Sequence, residues 1–197
     1  MNSEKSLSAK KSRHGLNTLD IVYTGIFAAL ITVCSWISIP LTVPFTLQTF
    51  AVFLAVLLLG GRRGTLSVLI YVLLGIVGIP VFSGYKGGIG VILGPTGGYI
   101  IGFIVSALIM WAFEHIQKKE KAVTSIISML TGLLACYAFG TAWFYFIYNK
   151  GTDTPASLSM ILGWCVVPFI LPDLAKILVA FLISRNRAIK NILRNGS

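Results

Sequence analysis

Apolar residues fall into six long runs along the chain, separated by short stretches rich in glycine, proline and charge. The runs lie near Leu19–Ile39, Thr46–Gly60, Thr65–Ile79, Thr96–Phe113, Thr124–Tyr148 and Leu158–Ser184. None keeps the strict two-residue alternation of a half-buried strand, and most approach the roughly 20 residues a helix needs to cross a hydrocarbon core of about 30 Å. A backbone surrounded by lipid must satisfy its own hydrogen bonds, which favours helices. The pattern predicts an all-α integral membrane protein of six transmembrane helices. It divides into a basic N-terminal tail (1–17), a membrane domain (18–185) and a basic C-terminal tail (186–197). The leader MNSEKSLSAKKSRHG is followed by an apolar run too long for a signal-peptide core and lacking a small-residue cleavage site, so the first run is expected to stay as a span.

Composition supports this reading. Of 197 residues, 56% are hydrophobic and 11% charged, against about 25% charged in ordinary soluble domains. The net charge of +10 suggests nucleic acid until the basic residues are assigned to alternating sides of the six spans. Thirteen fall on one side: Lys5, Lys10, Lys11, Arg13, Arg62, Arg63, Lys118, Lys119, Lys121, Arg185, Arg187, Lys190 and Arg194. Lys86 and Lys150 fall on the other, and Lys176 lies within the last run. That bias is the positive-inside signature; it predicts cytoplasmic N- and C-termini and a bilayer, not nucleic acid, as the partner of the charge. Cys34, Cys136 and Cys165 have no metal-ligand or redox spacing and read as packing residues, and His14 and His115 lie far apart, so neither metal nor cofactor is expected.

Candidate chemistry gathers in three places. The last run, MILGWCVVPFILPDLAKILVAFLI, holds Asp173 and Lys176 three residues apart, on one helical face. Charges within a membrane segment are costly and mark functional sites by default; a purely structural clamp between helices is the alternative. Pro168 and Pro172 predict a kinked or restarted helix, with Pro172 at its first position and Asp173 in its first turn, where the dipole favours negative charge. The loop IPLTVPFTLQTF carries no charge but places Thr42, Thr46, Gln48 and Thr49 at the membrane boundary, as a pocket wall or lid would. The loop GIPVFSGYKGGIGVILGPTGGY brings Gly84, Tyr85, Lys86, Gly87, Gly88, Thr96 and Tyr99 together. Glycine lets backbone approach a ligand closely, and Lys86 suits a carboxylate. The loop lacks the Lys-Ser/Thr ending of a P-loop. The aromatics of the fifth run, Tyr137 and Trp143 among them, read mainly as an interfacial belt with one or two available to stack on a ligand. In the first run, Gly25 with Ala29, and Ala28 with Thr32, form small-xxx-small pairs that permit close helix approach in lipid.

In order and wording, the blocks IPLTVPFTLQTFAVFLAVLLLG, YVLLGIVGIPVFSG, GPTGGYIIGF and VPFILPDLAK resemble the BioY family, the biotin-specific substrate-binding (S) components of energy-coupling factor (ECF) transporters. The resemblance implies an S-component-like six-helix bundle and a biotin pocket near the outer face. It also implies a membrane scaffold subunit and two ABC-type ATPases as partners, with biotin as substrate and no catalysis. It assigns Asp173 and Lys176 to the ligand-contacting pair and the glycine loop to the cover of the site. The candidate contacts are then Asp173, Lys176, Lys86, Tyr85, Gly84, Gly87, Gly88, Thr46, Gln48, Thr96, Tyr99 and Trp143. Gly25, Ala28, Ala29 and Thr32 form the candidate scaffold face, although the family writes Ala-x-x-x-Ala there. Another small vitamin, or an assembly role resting on an Asp-Lys clamp, is the alternative. An intramembrane enzyme would need a nucleophile and base or several metal ligands.

Overall fold

The computed structural model describes residues 17–116, 122–150, 152, 154–186 and 189. Most basic residues behind the predicted orientation (Lys5, Lys10, Lys11, Arg13, Lys118, Lys119, Lys121, Arg187, Lys190 and Arg194), and His14, lie outside them. In chain order the elements are α1 (Thr18–Trp36), β1 (Ser38–Ile39), β2 (Phe45–Thr46), α2 (Gln48–Leu59), α3 (Gly61–Val77), α4 (Ile89–Leu93), α5 (Gly97–Ile116), α6 (Ala122–Lys150), α7 (Leu158–Cys165) and α8 (Val167–Ser184). Among the described residues, four stretches are long and apolar enough to cross a membrane: α1, α5, α6 and the continuous Leu158–Ser184 segment. The second and third predicted spans form helices of only 12 and 17 residues, about 18 and 26 Å at the usual rise.

Local chemistry sets the ends. Asn17 caps α1, reciprocated by Asp20, whose carboxylate accepts the Asn17 N–H at 3.0 Å. Gly60, at φ +80°, separates α2 from α3. α3 starts before its predicted boundary, so Arg62 and Arg63 belong to its first turn, not to a connecting turn. Two cations there oppose the helix dipole. Two carboxylates compensate: Glu114 of α5 accepts the Gly61 N–H, and Asp20 pairs with Arg63 at 2.6 Å. These groups tie three helices together at the end of the bundle remote from the loops.

The closest packing is between antiparallel α5 and α6. A Cβ on Gly98 would meet Trp143 Cβ at 2.2 Å, one on Gly102 Cys136 Sγ at 3.0 Å, and one on Gly132 Ser106 Oγ at 2.5 Å. A Cβ on Gly140 would strike the Tyr99 ring at 2.3 Å. Small residues four apart on each helix thus interdigitate between positions 98–106 of α5 and 132–140 of α6, which is how helices attract each other in lipid.

The break in the last apolar segment lies at Val166 (φ −126°, ψ −54°), between α7 and α8. Pro168 takes the second position of α8 and Pro172 lies inside it, so the predicted restart at Pro172 is displaced by five residues. Asp173 is the seventh residue of α8 and gains nothing from its dipole. Pro168 occupies the turn where a missing N–H costs least, and Pro172 is left to deprive the Pro168 carbonyl of its helical partner.

Candidate functional site

At the loop end of the bundle lies a cavity of about 240 Å³, walled by the α1–α2 hairpin, the α3–α4 loop and the faces of α3, α5, α6 and α8. Its lining is largely apolar, with Val43, Phe82, Ile100, Phe103, Leu133 and Phe169 prominent.

The hairpin wall exists because Pro40 and Pro44 prevent the helix from continuing. β1 and β2 pair antiparallel, Ser38 opposite Thr46 and Ile39 opposite Phe45. The Leu47 N–H returns to the Cys34 and Ile37 carbonyls. Thr42, Val43, Pro44, Thr46, Gln48 and Thr49 thereby reach the cavity.

Asp173 and Lys176 are both buried and both line the cavity. Lys176 Nζ donates to Asp173 Oδ1 at 2.7 Å and to the Thr46 carbonyl at 2.6 Å, and stands 4.0 Å from the centre of the Phe45 ring. Phe45 in turn stacks on Phe169. The other carboxylate oxygen, Asp173 Oδ2, accepts from Tyr137 OH at 2.5 Å. Each charge therefore has strong partners, which is what makes burial tolerable. Carboxylate oxygens keep lone pairs beyond those used here, so Asp173 retains capacity for an N–H presented from the cavity.

Lys86 reaches the same cavity from the α3–α4 loop. Phe82 and Lys86 exchange backbone hydrogen bonds at 2.9 and 3.3 Å around a tight turn in which Gly84 and Tyr85 take φ +71° and +57°. A Cβ on Gly87 would come within 2.4 Å of the Ile79 carbonyl. Gly88, at φ +95°, donates to the Gly75 carbonyl at 2.6 Å. The Phe82 ring fills the space over Gly75, where a Cβ would lie 2.0 Å from it. The loop is stapled to α3 at both ends.

Of the twelve residues the sequence singles out as ligand contacts, the structure gathers Asp173, Lys176, Lys86, Thr46, Gln48, Thr96 and Tyr99 around the cavity. Five do not line it. Tyr85 is 67% exposed and packs on Trp36 instead, with ring centres 5.1 Å apart, because its left-handed backbone turns the ring away from the loop's inner side. Gly84, Gly87 and Gly88 shape the turn that delivers Lys86. Trp143 is held against α5 by Gly98 and donates to the Gly94 carbonyl at 3.0 Å. Tyr137, read as part of an aromatic belt, instead touches Asp173. Tyr71 is fully buried at the cavity wall and was not singled out; a phenol in mid-span, where an apolar residue packs at no polar cost, was the available signal. Cys136 and Cys165 line the cavity besides packing. On α1, Gly25 and Ala29 face outward, whereas Ala28 and Thr32 are buried in the chain's own core, Thr32 donating to the Ala28 carbonyl at 2.9 Å.

The chain matches the model of the BioY family over residues 5–194. It is 46% identical over 165 residues to the biotin transporter BioY of Thermotoga maritima, covering 83% of this chain and 92% of the relative. It is 42% identical to the probable biotin transporter BioY of Pyrococcus horikoshii, over 84% of this chain and 93% of the relative. The crystal structure of the S-component for biotin from an ECF-type ABC transporter superposes with a TM-score of 0.74 at 28% identity, covering 84% of this chain and 88% of the other.

Proposed function

The chain belongs to the BioY family, and from that premise we propose that it is the biotin-binding membrane subunit of an ECF-type transporter, mediating uptake of the vitamin and not catalysis. The observation that carries this reading is the buried Asp173–Lys176 pair, joined by half-buried Tyr137, opening on a mostly apolar cavity. Such a pocket, with few convergent polar groups, suits a ligand with an apolar body, a polar bicyclic head and one carboxylate. Asp173 and Lys176 serve the head, and Lys86, a cation beside the cavity mouth, serves the carboxylate.

In this reading the protein is a multi-pass component of the cell membrane. α2 and α3 complete a six-span bundle with α1, α5, α6 and α7–α8. Arg62, Arg63 and both termini lie in the cytoplasm, which puts the cavity toward the outside. Uptake draws on a separate scaffold subunit and two ABC-type ATPases, and the outward-facing Gly25 and Ala29 of α1 form the surface that a scaffold helix meets.

The test is equilibrium binding of radiolabelled biotin to the purified full-length chain, with other vitamins as competitors. Stoichiometric, saturable binding with biotin recovered unchanged is the expected result. Preferential binding of another vitamin would replace biotin as the substrate, and no small-molecule binding at all would leave the Asp-Lys pair as a clamp of an assembly subunit.

A further inference from the structure

A second cavity, of about 310 Å³, lies at the end of the bundle remote from the Asp173 site, where α1 and α3 begin and α2 and α5 end. Unlike the first, it is polar and carries both signs of charge: Arg62 and Arg63 of α3, Asp20 of α1 and Glu114 of α5 all line it. The chain itself uses part of this charge. Asp20 is spent on Arg63 and on the Asn17 N–H. Glu114 gives one oxygen, Oε2, to the Gly61 N–H. Its other oxygen stands 3.2 Å from where a Cβ on Gly60 would lie, and a Cβ on Gly61 would run into the Trp111 ring. Two successive glycines therefore leave the floor of the cavity open beneath an indole and a carboxylate. The edge of that indole meets His115, with ring centres 6.0 Å apart. Arg62 and Glu114 are exposed at the rim. A guanidinium has five N–H donors and a carboxylate about four acceptor sites, so each keeps capacity beyond a single contact within the chain.

Depth in the membrane narrows the ligand. Trp111 lies in the last turns of α5, a helix long and apolar enough to span, and tryptophan at a span end marks the boundary between lipid and water. Ile21 and Ile116, beside Asp20 and His115 in sequence, are 60% and 78% exposed, so apolar surface continues up to this end of the bundle. The cavity is therefore at headgroup level whichever way the protein is oriented. We propose that it binds the head of a phosphatidylethanolamine molecule: Arg62 and Arg63 donate to the phosphate, and the ammonium group, two carbons away, donates to Glu114. A phosphodiester calls for cationic donors, and a primary ammonium calls for an anionic acceptor. A purely anionic headgroup would meet Glu114 as a like charge, and a choline headgroup has no N–H to give it. Both signs across one cavity thus select the zwitterion that can donate. The site is independent of the vitamin and of the cavity that holds it.

Delipidated full-length protein is titrated by native mass spectrometry with dioctanoyl phosphatidylethanolamine, phosphatidylcholine and phosphatidylglycerol, and with O-phosphoethanolamine, which lacks acyl chains. The wild type is expected to bind phosphatidylethanolamine about five- to tenfold more tightly than the other two lipids, between the effect of an exposed ion pair and that of a charge-assisted hydrogen bond. Glu114→Gln, whose amide oxygen can still accept the Gly61 N–H, is expected to erase that preference. Arg62→Gln is expected to weaken all three lipids by a similar factor. Melting profiles and biotin titrations of both variants are expected to match the wild type, so that lost lipid binding reports the site and not the fold. Equal affinity of the wild type for the three lipids, a result that needs no variant, would overturn the proposal, as would a preference that survives Glu114→Gln. O-phosphoethanolamine binding as tightly as the lipid would overturn it in favour of a soluble phosphate ligand. No lipid bound, with both substitutions blocking co-purification with the scaffold subunit, would overturn it in favour of a protein interface.

Discussion

At the scale of single residues, the cavity combines a cation with two of its three donors engaged and a carboxylate that has capacity to spare. Lys176 gives two donors to Asp173 and Thr46 and leans on Phe45, and Asp173 can still accept from a ligand. Breaking one side of a desolvated charge pair costs about 2–5 kcal/mol in binding, or roughly 30- to several-thousand-fold in affinity. Asp173→Asn and Lys176→Ala are each expected to lose biotin binding to that extent while the protein still inserts, as measured by titration alongside membrane yield; unchanged affinity in a well-folded variant of either kind would count against the pair as a binding element. Lys86→Ala is expected to weaken biotin strongly and an amide-capped biotin little, and equal losses for the two ligands would return Lys86 to a solvated loop lysine. The sequence made the charged residues legible because charge inside an apolar run is rare and costly. It left Tyr71 and Tyr137 illegible, because a phenol serves equally as belt, core or ligand contact and only the neighbours it meets in space decide among these.

At the scale of elements, the spacing of apolar runs located the helices, but two of the glycine roles required coordinates. Gly88 takes a positive φ, whereas Gly87 does not and is required by crowding: its Cβ would press on the Ile79 carbonyl. Gly87→Val is therefore expected to displace the Lys86 turn and reduce biotin affinity at least tenfold, with limited proteolysis of the loop reporting the displacement; retention of both wild-type affinity and wild-type cleavage would show the turn to be indifferent to that contact. The small-residue spacing noticed on α1 occurs more consequentially on α5 and α6, where Gly98, Gly102 and Ser106 meet the side bearing Gly132, Cys136 and Gly140. The signal was present in the sequence, and its partner was not, since spacing on one helix does not name the helix it faces. The two prolines announced a broken helix but put its restart at Pro172, five residues too late: Pro168 sits where a helix tolerates proline, which moves the break ahead of both.

At the scale of the whole molecule, α1 has two faces with different duties. Ala28 and Thr32 belong to the core, and Gly25 and Ala29 face outward with nothing within 4 Å of a Cβ built on Gly25. Gly25→Leu and Ala29→Leu are expected to leave biotin binding intact and to block co-purification with scaffold and ATPases, whereas Ala28→Leu overpacks the core and destabilises the chain by about 1–3 kcal/mol. Normal assembly and transport in both outward variants would move the interface elsewhere. The close fit of α5 on α6 bears on how the protein is made. These helices are neighbours in sequence and leave the biosynthetic machinery before α7 and α8, so they can form a hairpin in the bilayer while the C-terminal segment is still being translated. Tyr137, on α6, is then already in position when Asp173 and Lys176 arrive, and the two charges enter a prepared polar niche instead of bare lipid. Gly102→Leu, which wedges the hairpin apart, is expected to reduce integration of the last segment during synthesis more than a leucine at outward-facing Gly25. Glycosylation-site mapping of the nascent chain measures this, and equal integration in the two variants would show that the charged helix needs no such reception.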